Sequence, residues 1–215
     1  GYSKIYRSRI LGVVDATKLE MAHRQRNVEY RLSLIKDIEI LRGWSYELFI
    51  TKEFDLIINC GSLAEAILST HYNEFCYQSI VEGLVSLKER FTCPILHISS
   101  SMVYGTWTGA IKESDSTNPI DYYGKCKLKS ETFCTENDII LRPIHVYGIG
   151  DSKFPIWMNI ERQRAKDQLV NIEAADCIYI DDFVQIVKNI LDSWKPGIYN
   201  ISSNILRDGK VLQKI

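Results

Sequence analysis

Tyr123-Gly-Lys-Cys-Lys127 sets a phenol and an ammonium four residues apart, which on a helix places both on one face, a turn apart. A free tyrosine keeps its proton to a pH of about 10, whereas a neighbouring cation favours the phenolate. With a positively charged ligand ring beside it as well, such a tyrosine could serve as a general base near neutrality. The pair alone is weak: a chain with 12 Tyr and 15 Lys supplies roughly one by chance, most of them on solvated helix faces. Its context sharpens it. Ser99-Ser100-Ser101-Met102-Val103-Tyr104-Gly105 follows an apolar run and precedes Tyr123 by about twenty residues. In open α/β sheets ligands bind outside the carboxyl ends of the strands, so hydroxyls at such an exit face the ligand crevice. The bland alternative is a polar strand-to-loop exit. Leu141-Arg-Pro-Ile-His-Val-Tyr-Gly148 ends the next run in the same way.

The elements that must position these groups can be read from the pattern. Ile10–Val14, Asp55–Cys60, Pro94–Ser100 and Ile139–Val146 are compact apolar runs, and Asn27–Leu34 alternates before Lys36-Asp37. Runs apolar on both faces suit the middle of a parallel sheet covered by helices. From Asn73, a candidate N-cap, to Arg90, the residues Tyr77, Ile80, Val81, Leu84 and Leu87 form one helical stripe. A second helix is expected from about Tyr122 to Cys134. A third, capped by Asp181 and ended by Pro196-Gly197, carries Phe183, Val184, Val187, Ile190, Leu191 and Trp194. Alternating strands and helices predict a doubly wound α/β fold with a mostly parallel sheet and helices on both faces. The stretch from Gly150 to Ala175 breaks the alternation, with a helix (Phe154–Arg164) and a short strand (Gln168–Glu173), and reads as a small lobe.

Composition narrows the class. The 215 residues are 46% hydrophobic and 25% charged, ample for one domain with a substantial core, and the formal net charge is −1. That balance argues against a nucleic-acid binder resting on phosphate contacts. No run approaches a membrane span, and no leader-like start is present, so no membrane partner is expected. The six cysteines form no CxxC and the four histidines no HExxH; no metal site or disulfide framework is expected, and a reducing, cytoplasmic setting is the default. The twelve glycines form neither GxGxxG nor GxxGxxG, and only fourteen residues precede Asp15. Either the sequence is a fragment, or the phosphate-binding loop is missing.

Taken in order, these segments resemble the extended short-chain dehydrogenase/reductase family of nucleotide-sugar epimerases, dehydratases and reductases, over residues 10 to about 203. Ile10–Asp15 resembles the second strand with its terminal acid. Lys36-Asp37-Ile38 resembles the step bordering the adenine, and Asp55–Ser62 the strand usually ending His-x-Ala-Ala. Ser99–Gly105 with Tyr123–Lys127 resembles the Ser/Tyr/Lys active site; Leu141–Gly148, Cys177–Asp182 and Gly197–Ser202 resemble later signatures. The resemblance implies a Rossmann-type nucleotide-binding domain over 1–150 and 176–202, and a small, shortened substrate lobe over 151–175 and 203–215. It implies Ser100, Tyr123 and Lys127 as catalytic residues, with Ser100 bonding the reacting sugar oxygen, Tyr123 exchanging the proton, and Lys127 binding the nicotinamide ribose and lowering the tyrosine pKa. Cofactor contacts would be Asp15, Asp37, Ile38, Cys60, Gly61, Ser62, Tyr123, Lys127 and Pro143. Asp15 on the adenosine ribose would favour NAD over NADP, which is not excluded; a turn or cap role is the alternative for Asp15 and for Asp37. Substrate contacts would be Ser100, Ser101, Met102 and His145. A homodimer through the helices from Asn73 and around Tyr123 is implied, with an apolar outer stripe as its sign.

Departures from the pattern shape the functional expectation. Ser101 and Met102 stand where the 4,6-dehydratases place Asp-Glu, which disfavours dehydration. His145 replaces the usual Asn, and Ala175 stands where many members carry an Arg. The leading reading is an NAD(P)-dependent enzyme transferring hydride at C4 of a nucleotide-activated sugar, with 4-epimerisation slightly ahead of 4-ketoreduction. Two alternatives stay open: a relative without catalysis that serves as a binding or assembly protein, and a reductase of a non-sugar carbonyl.

Overall fold

The structure is a computed structural model that describes residues 10–14, 38–42, 53–62, 73–107, 109–147 and 177–202. Its strands, in chain order, are β1 (Ile10–Val14), β2 (Ile38–Arg42), β3 (Leu56–Asn59), β4 (Ile95–Ile98), β5 (Ile139–Pro143), β6 (His145–Tyr147), β7 (Cys177–Tyr179) and β8 (Gly197–Ile201). Six of them make one parallel sheet in the order β2-β1-β3-β4-β5-β8, and β6 pairs with β7 in a separate parallel ribbon. The doubly wound expectation is met.

β3 shows why these segments become central strands. Its four residues are all buried, and successive side chains alternate between two cores. Leu56 and Ile58 join Leu96, Ile139, Leu141 and Ile201 on one face. The third expected helix, Ile180–Ser193, covers that face with Val187, Phe183 and Ile190. Ile57 and Ile95 face the other way, against Leu84, Leu87, Phe54 and Phe91. Each such aliphatic side chain contributes about 1.5–3 kcal/mol on burial. Two-sided burial is what removes a period-2 pattern from these runs and leaves them uniformly apolar.

The helical stripe from Asn73 is continuous to Arg90, but as α1 (Asn73–Tyr77), a π-helical segment (Gln78–Glu82) and α2 (Gly83–Arg90). Ile80, Val81, Leu84 and Leu87 are buried as the spacing predicts, and Cys76 and Ser79 are buried beside them. α3 (Tyr122–Glu131) starts where the Asp121 carboxylate accepts from the Gly124 N–H at 2.7 Å. It packs on the π segment through Cys76, Ile80, Val81 and Cys126. Among the described residues, the exposed large hydrophobics are Met102, Trp107, Ile120, Phe133 and Ile198, none of them within 73–90 or 122–131. The apolar outer stripe is therefore not seen on those helices. No described helix is long and apolar enough to cross a membrane.

Four expectations need correction. Ile10–Asp15 was expected as the second strand, but β1 lies between β2 and β3. Among the described residues β1 is thus the neighbour of β3, the place a first strand takes in a 3-2-1-4-5-6 sheet. Asp15 itself lies outside the described residues. Lys36-Asp37-Ile38 precedes a strand instead of following one. Ile38 opens β2 opposite Ile10, roughly 13 Å of strand away from the carboxyl ends where ligands bind; it is not placed as an adenine contact. Asp181 lies inside the first turn of its helix, designated α4, which begins at Ile180 after Tyr179. Finally, the run Ile139–Val146 is two strands. Pro143 closes β5, Ile144 N–H still bonds Ile201 O at 3.0 Å, and the chain then turns to pair with β7.

Asn27–Leu34, Asp15, Asp37, Ala175, the expected lobe elements and residues 203–215 lie outside the described residues.

Candidate active site

The parallel sheet changes winding direction between β1 and β3, so the ligand crevice falls at the carboxyl end of β3 and its neighbours. Cys60, Gly61 and Ser62 leave the sheet there. After β4 the chain stays extended at Ser99 and Ser100 (φ −161°, ψ 150°), then makes a 3₁₀ turn over Ser101–Tyr104. Ser100 Oγ caps that turn, accepting from Met102 N–H at 3.2 Å. This bond fixes the hydroxyl, and the Ser100 side chain lies close enough to the Tyr123 phenol to draw its pKa down. Gly124 permits the approach. A Cβ there would lie 2.7 Å from Met102 O and 3.0 Å from Pro119 Cβ, so α3 can rest on the 3₁₀ turn only without one.

Lys127 follows one turn after Tyr123. Its side chain is 2% exposed, and Nζ sits 5.7 Å from the centroid of the Tyr123 ring. The ammonium donates to Ile98 O at 2.8 Å and to Ser62 Oγ at 3.0 Å. An ammonium has three N–H donors, and the described residues take two. Burial pulls its pKa down to about 8, opposed by the neighbouring Cys60, Cys76, Glu131 and Cys126 thiol and carboxyl groups. Burial likewise pushes the Cys60 thiol up to about 12.

Tyr123 behaves differently from the expectation. Burial raises its phenol well above the ordinary value of 10, and the Ser100 hydrogen bond pulls back only part of that. Lys127, spent on Ser62 and Ile98, is not among the groups that shift it. The side chains alone therefore hold Tyr123 as a neutral phenol.

Sequence reasoning missed two buried networks behind these groups. In one, His97 (1% exposed) accepts at Nδ1 from Asn59 Nδ2 at 3.2 Å and donates from Nε2 to Ser130 Oγ at 2.9 Å. Those directions follow because the Ser130 proton is given to Lys127 O at 2.7 Å and Asn59 Oδ1 is used by Gly61 N–H at 3.1 Å. Burial, with Lys127 and Lys88 adding to it, drives the imidazole pKa well below 6.5, so the ring is neutral. In the other, Glu131 accepts from Ser99 Oγ at 2.5 Å and from Arg142 Nε and Nη2 at 3.0 and 2.6 Å. Arg142 Nη1 reaches Tyr104 Oη at 2.6 Å, and that hydroxyl donates to Asn200 Oδ1 at 2.9 Å. The sequence signal was present for both: a polar residue inside an apolar strand run, as at Asn59, His97 and Arg142, must find a partner when buried.

The other expected residues are placed as follows. Ser101 and Met102 lie in the 3₁₀ turn, half-buried and 36% exposed respectively. Pro143 is buried at the end of β5, and His145 is half-buried at the start of β6, in register with Cys177. The structure thus brings Ser100, Tyr123, Lys127 and Ser62 together.

With the geometry established, comparisons place the chain among known proteins. Residues 13–202 match the model of the NAD dependent epimerase/dehydratase family. No curated protein sequence matches. Among solved structures, the chain resembles RMD from Pseudomonas aeruginosa complexed with NADPH (TM-score 0.72, 19% identity, 92% of this chain and 79% of that one). It also resembles a dTDP-4-dehydrorhamnose reductase, an RfbD ortholog, from Clostridium acetobutylicum (0.67, 20%, 90% and 74%). A third is UDP-glucuronic acid 4-epimerase from Bacillus cereus in complex with UDP-glucuronic acid and NAD (0.70, 19%, 92% and 70%). At these identities the structures establish the fold; the family match covers most of the chain, and the protein belongs to the NAD dependent epimerase/dehydratase family.

Proposed function

We propose that this chain binds NAD(P) and transfers hydride at a carbinol or carbonyl carbon of a nucleotide-linked sugar, most directly C4, with Tyr123 exchanging the proton on the oxygen. The observation that carries this reading is the Ser100 hydroxyl beside the Tyr123 phenol, one helical turn from the buried Lys127 ammonium. The solved relatives bound to NADPH, or to NAD with a UDP-sugar, support the cofactor and substrate class.

The residues present fit such a cofactor on one side. Lys127 keeps an N–H beyond its two described acceptors, at the crevice end of β3. Bound NAD(P) supplies the hydride donor or acceptor and, when oxidised, a positive charge beside the phenol. Ser100, pinned by Met102 N–H, orients the substrate oxygen and the phenol together. As a neutral phenol, Tyr123 is ready to protonate a carbonyl oxygen; as the phenolate it takes the proton of a sugar hydroxyl. Lys127 fixes the ribose side and neutralises charge close to the ring. Neither position after Ser100 offers a carboxyl group, since Ser101 and Met102 stand there, which disfavours elimination of water. The slight preference for 4-epimerisation rests on Asp15, which lies outside the described residues, so the proposal covers epimerisation and ketoreduction.

The sequence carries neither GxGxxG nor GxxGxxG, which favours one second reading, a family relative that holds the constellation without binding a dinucleotide, because backbone approach to a pyrophosphate usually needs such glycines. Calorimetric titration with NAD+ and NADPH separates the two. Saturable binding of either is expected; no binding of either defeats the enzymatic proposal. Chromatography of products from UDP- and dTDP-hexoses with NAD+, and from their 4-keto derivatives with NADPH, then tells epimerisation from reduction.

A further inference from the structure

The turn that carries Ser100 is gripped at both ends by one buried ion pair. At its start, Ser99 Oγ donates to Glu131, and the Ser99 N–H is held by Leu141 O at 2.7 Å. At its end, Tyr104 Oη accepts from Arg142 Nη1 at 2.6 Å and donates to Asn200 Oδ1 at 2.9 Å. Glu131 and Arg142 are themselves joined by two bonds, from Nε at 3.0 Å and from Nη2 at 2.6 Å. Ser99, Tyr104, Glu131 and Arg142 are all buried, so water has little access to these bonds.

The pair closes a ring through the two groups that face each other. Glu131 ends α3, about 12 Å of helix beyond Tyr123. The helix that presents the phenol therefore also holds Ser99, the residue before the hydroxyl beside that phenol. Arg142 lies on β5, which pairs with β4, the strand that runs into Ser99. Breaking a buried ion pair is destabilising, yet the intact pair adds little net stability, because desolvation offsets the attraction. What a guanidinium fork on a carboxylate does supply is geometry, since two parallel bonds admit one relative placement of α3 and β5. Carried to Ser99 and Tyr104, that placement fixes the turn, and with it the distance from the Ser100 hydroxyl to the Tyr123 phenol. Such a distance matters to the reaction: proton transfer needs hydrogen-bond reach, and a misplacement of about 1 Å can lose about a hundredfold in rate.

We propose that Ser99 and Tyr104 are positioning residues for the reaction: through them the Glu131–Arg142 pair sets the Ser100 hydroxyl against the Tyr123 phenol. Neither hydroxyl is offered to a substrate, since the Ser99 proton goes to Glu131 and the Tyr104 proton to Asn200; both residues act through Ser100. The inference rests on the reading of Tyr123 as the proton-exchanging group and adds the device that aims Ser100 at it.

The test uses the full chain as Ser99→Ala and Tyr104→Phe, each alone and each combined with Ser100→Ala. Both substitutions leave the two bonds between Glu131 and Arg142 in place, so folded protein is expected. Turnover is read by chromatography of the products from sugar nucleotides with NAD+ or NADPH, and the cofactor Kd by calorimetry. Each single variant is expected to lose at least about tenfold in kcat, with KM changed less than about threefold and the cofactor Kd within about twofold. In the Ser100→Ala background the same substitutions should change kcat less than about twofold, because they act through the hydroxyl already removed. An equal loss in both backgrounds, which would mark a general structural effect, overturns the proposal, as does an unchanged kcat in the single variants. A second readout needs no substrate: the carbon-13 shift of Tyr123 Cζ, assigned from Tyr123→Phe, responds to what lies against the phenol oxygen. Ser99→Ala and Tyr104→Phe should each move it in the same direction as Ser100→Ala and at least about half as far; no movement overturns the proposal. If the wild type turns over none of these substrates, the functional reading above fails, while the Cζ shift still decides whether Ser99 and Tyr104 hold Ser100 against Tyr123.

Discussion

With its side chain buried and bonded to Ile98 O and Ser62 Oγ, Lys127 titrates at about 8 where an ordinary lysine titrates at 10.5. The folded state therefore carries a cost for protonating this group, of roughly 3 kcal/mol for that displacement. The sign is set by proton counting. Between pH 8 and 10.5 the unfolded chain binds more protons at this residue, so the folded state gains stability as the pH rises through that window. Below pH 8 both states are protonated and the cost is constant. Lys127→Met is expected to be more stable than wild type at pH 7 by about 1–3 kcal/mol in urea unfolding, with the advantage shrinking from pH 8 upward. Equal stability at pH 7 and pH 10 would count against a strained lysine. A buried residue that weakens the fold and yet is furnished with two acceptors is the pattern expected of a functional group. The Glu131–Arg142 pair points the other way: it is buried, bidentate and tied to Ser99 and Tyr104. Arg142→Met should cost about 3–5 kcal/mol in the same measurement, because Glu131 is left charged without a partner.

At the scale of elements, catalytic geometry depends on how closely α3 approaches the turn after β4. Gly124→Ala must open that contact, since the added methyl would meet Met102 O at 2.7 Å. The expected outcome is a folded protein whose turnover falls at least tenfold, with NAD+ affinity reduced less; unchanged turnover would show that Tyr123 and Ser100 need not be held so close. Gly105 is a second such point. Its φ is +75°, and a Cβ would lie 2.1 Å from Asn118 O, so the segment leading into Asp121 cannot take this path with an alanine. Gly105→Ala should lower the stability by more than about 2 kcal/mol in urea unfolding. The Ser100–Tyr123–Lys127 constellation was legible in the sequence because it obeys local rules: a hydroxyl at a strand exit, and a four-residue spacing on a helix. The buried partners were not, because Asn59, His97, Ser130, Glu131 and Arg142 lie on four separate elements and meet only through the sheet order. Helix ends were legible to within a turn, but the start of α4 at Ile180 was missed, since Asp181 serves inside the first turn as readily as it could cap one.

Across the whole molecule, the two ends of the sheet are built for different purposes. At the amino ends, the Asp138 carboxylate gathers Ile95 N–H, Thr135 N–H and Lys88, while its backbone carbonyl takes Gly197 N–H, so one residue ties β4, β5 and β8. At the carboxyl ends sit Lys127, Ser62 and the Ser100–Tyr123 pair. Strand order was the part of the architecture that the sequence could not supply. Apolar runs announce that strands exist, but any run of similar length fits any central position, and only pairing reveals that β1 neighbours β3.

The most direct test of the central claim is the 340 nm absorbance of wild type and Tyr123→Phe at stoichiometric enzyme, with NAD+ and a UDP-hexose or with NADPH and a 4-keto sugar nucleotide. The account predicts a cofactor-linked absorbance change in the wild type, at least about a hundredfold slower in Tyr123→Phe, with the Kd for the cofactor within twofold. Equal rates in the two proteins would contradict it.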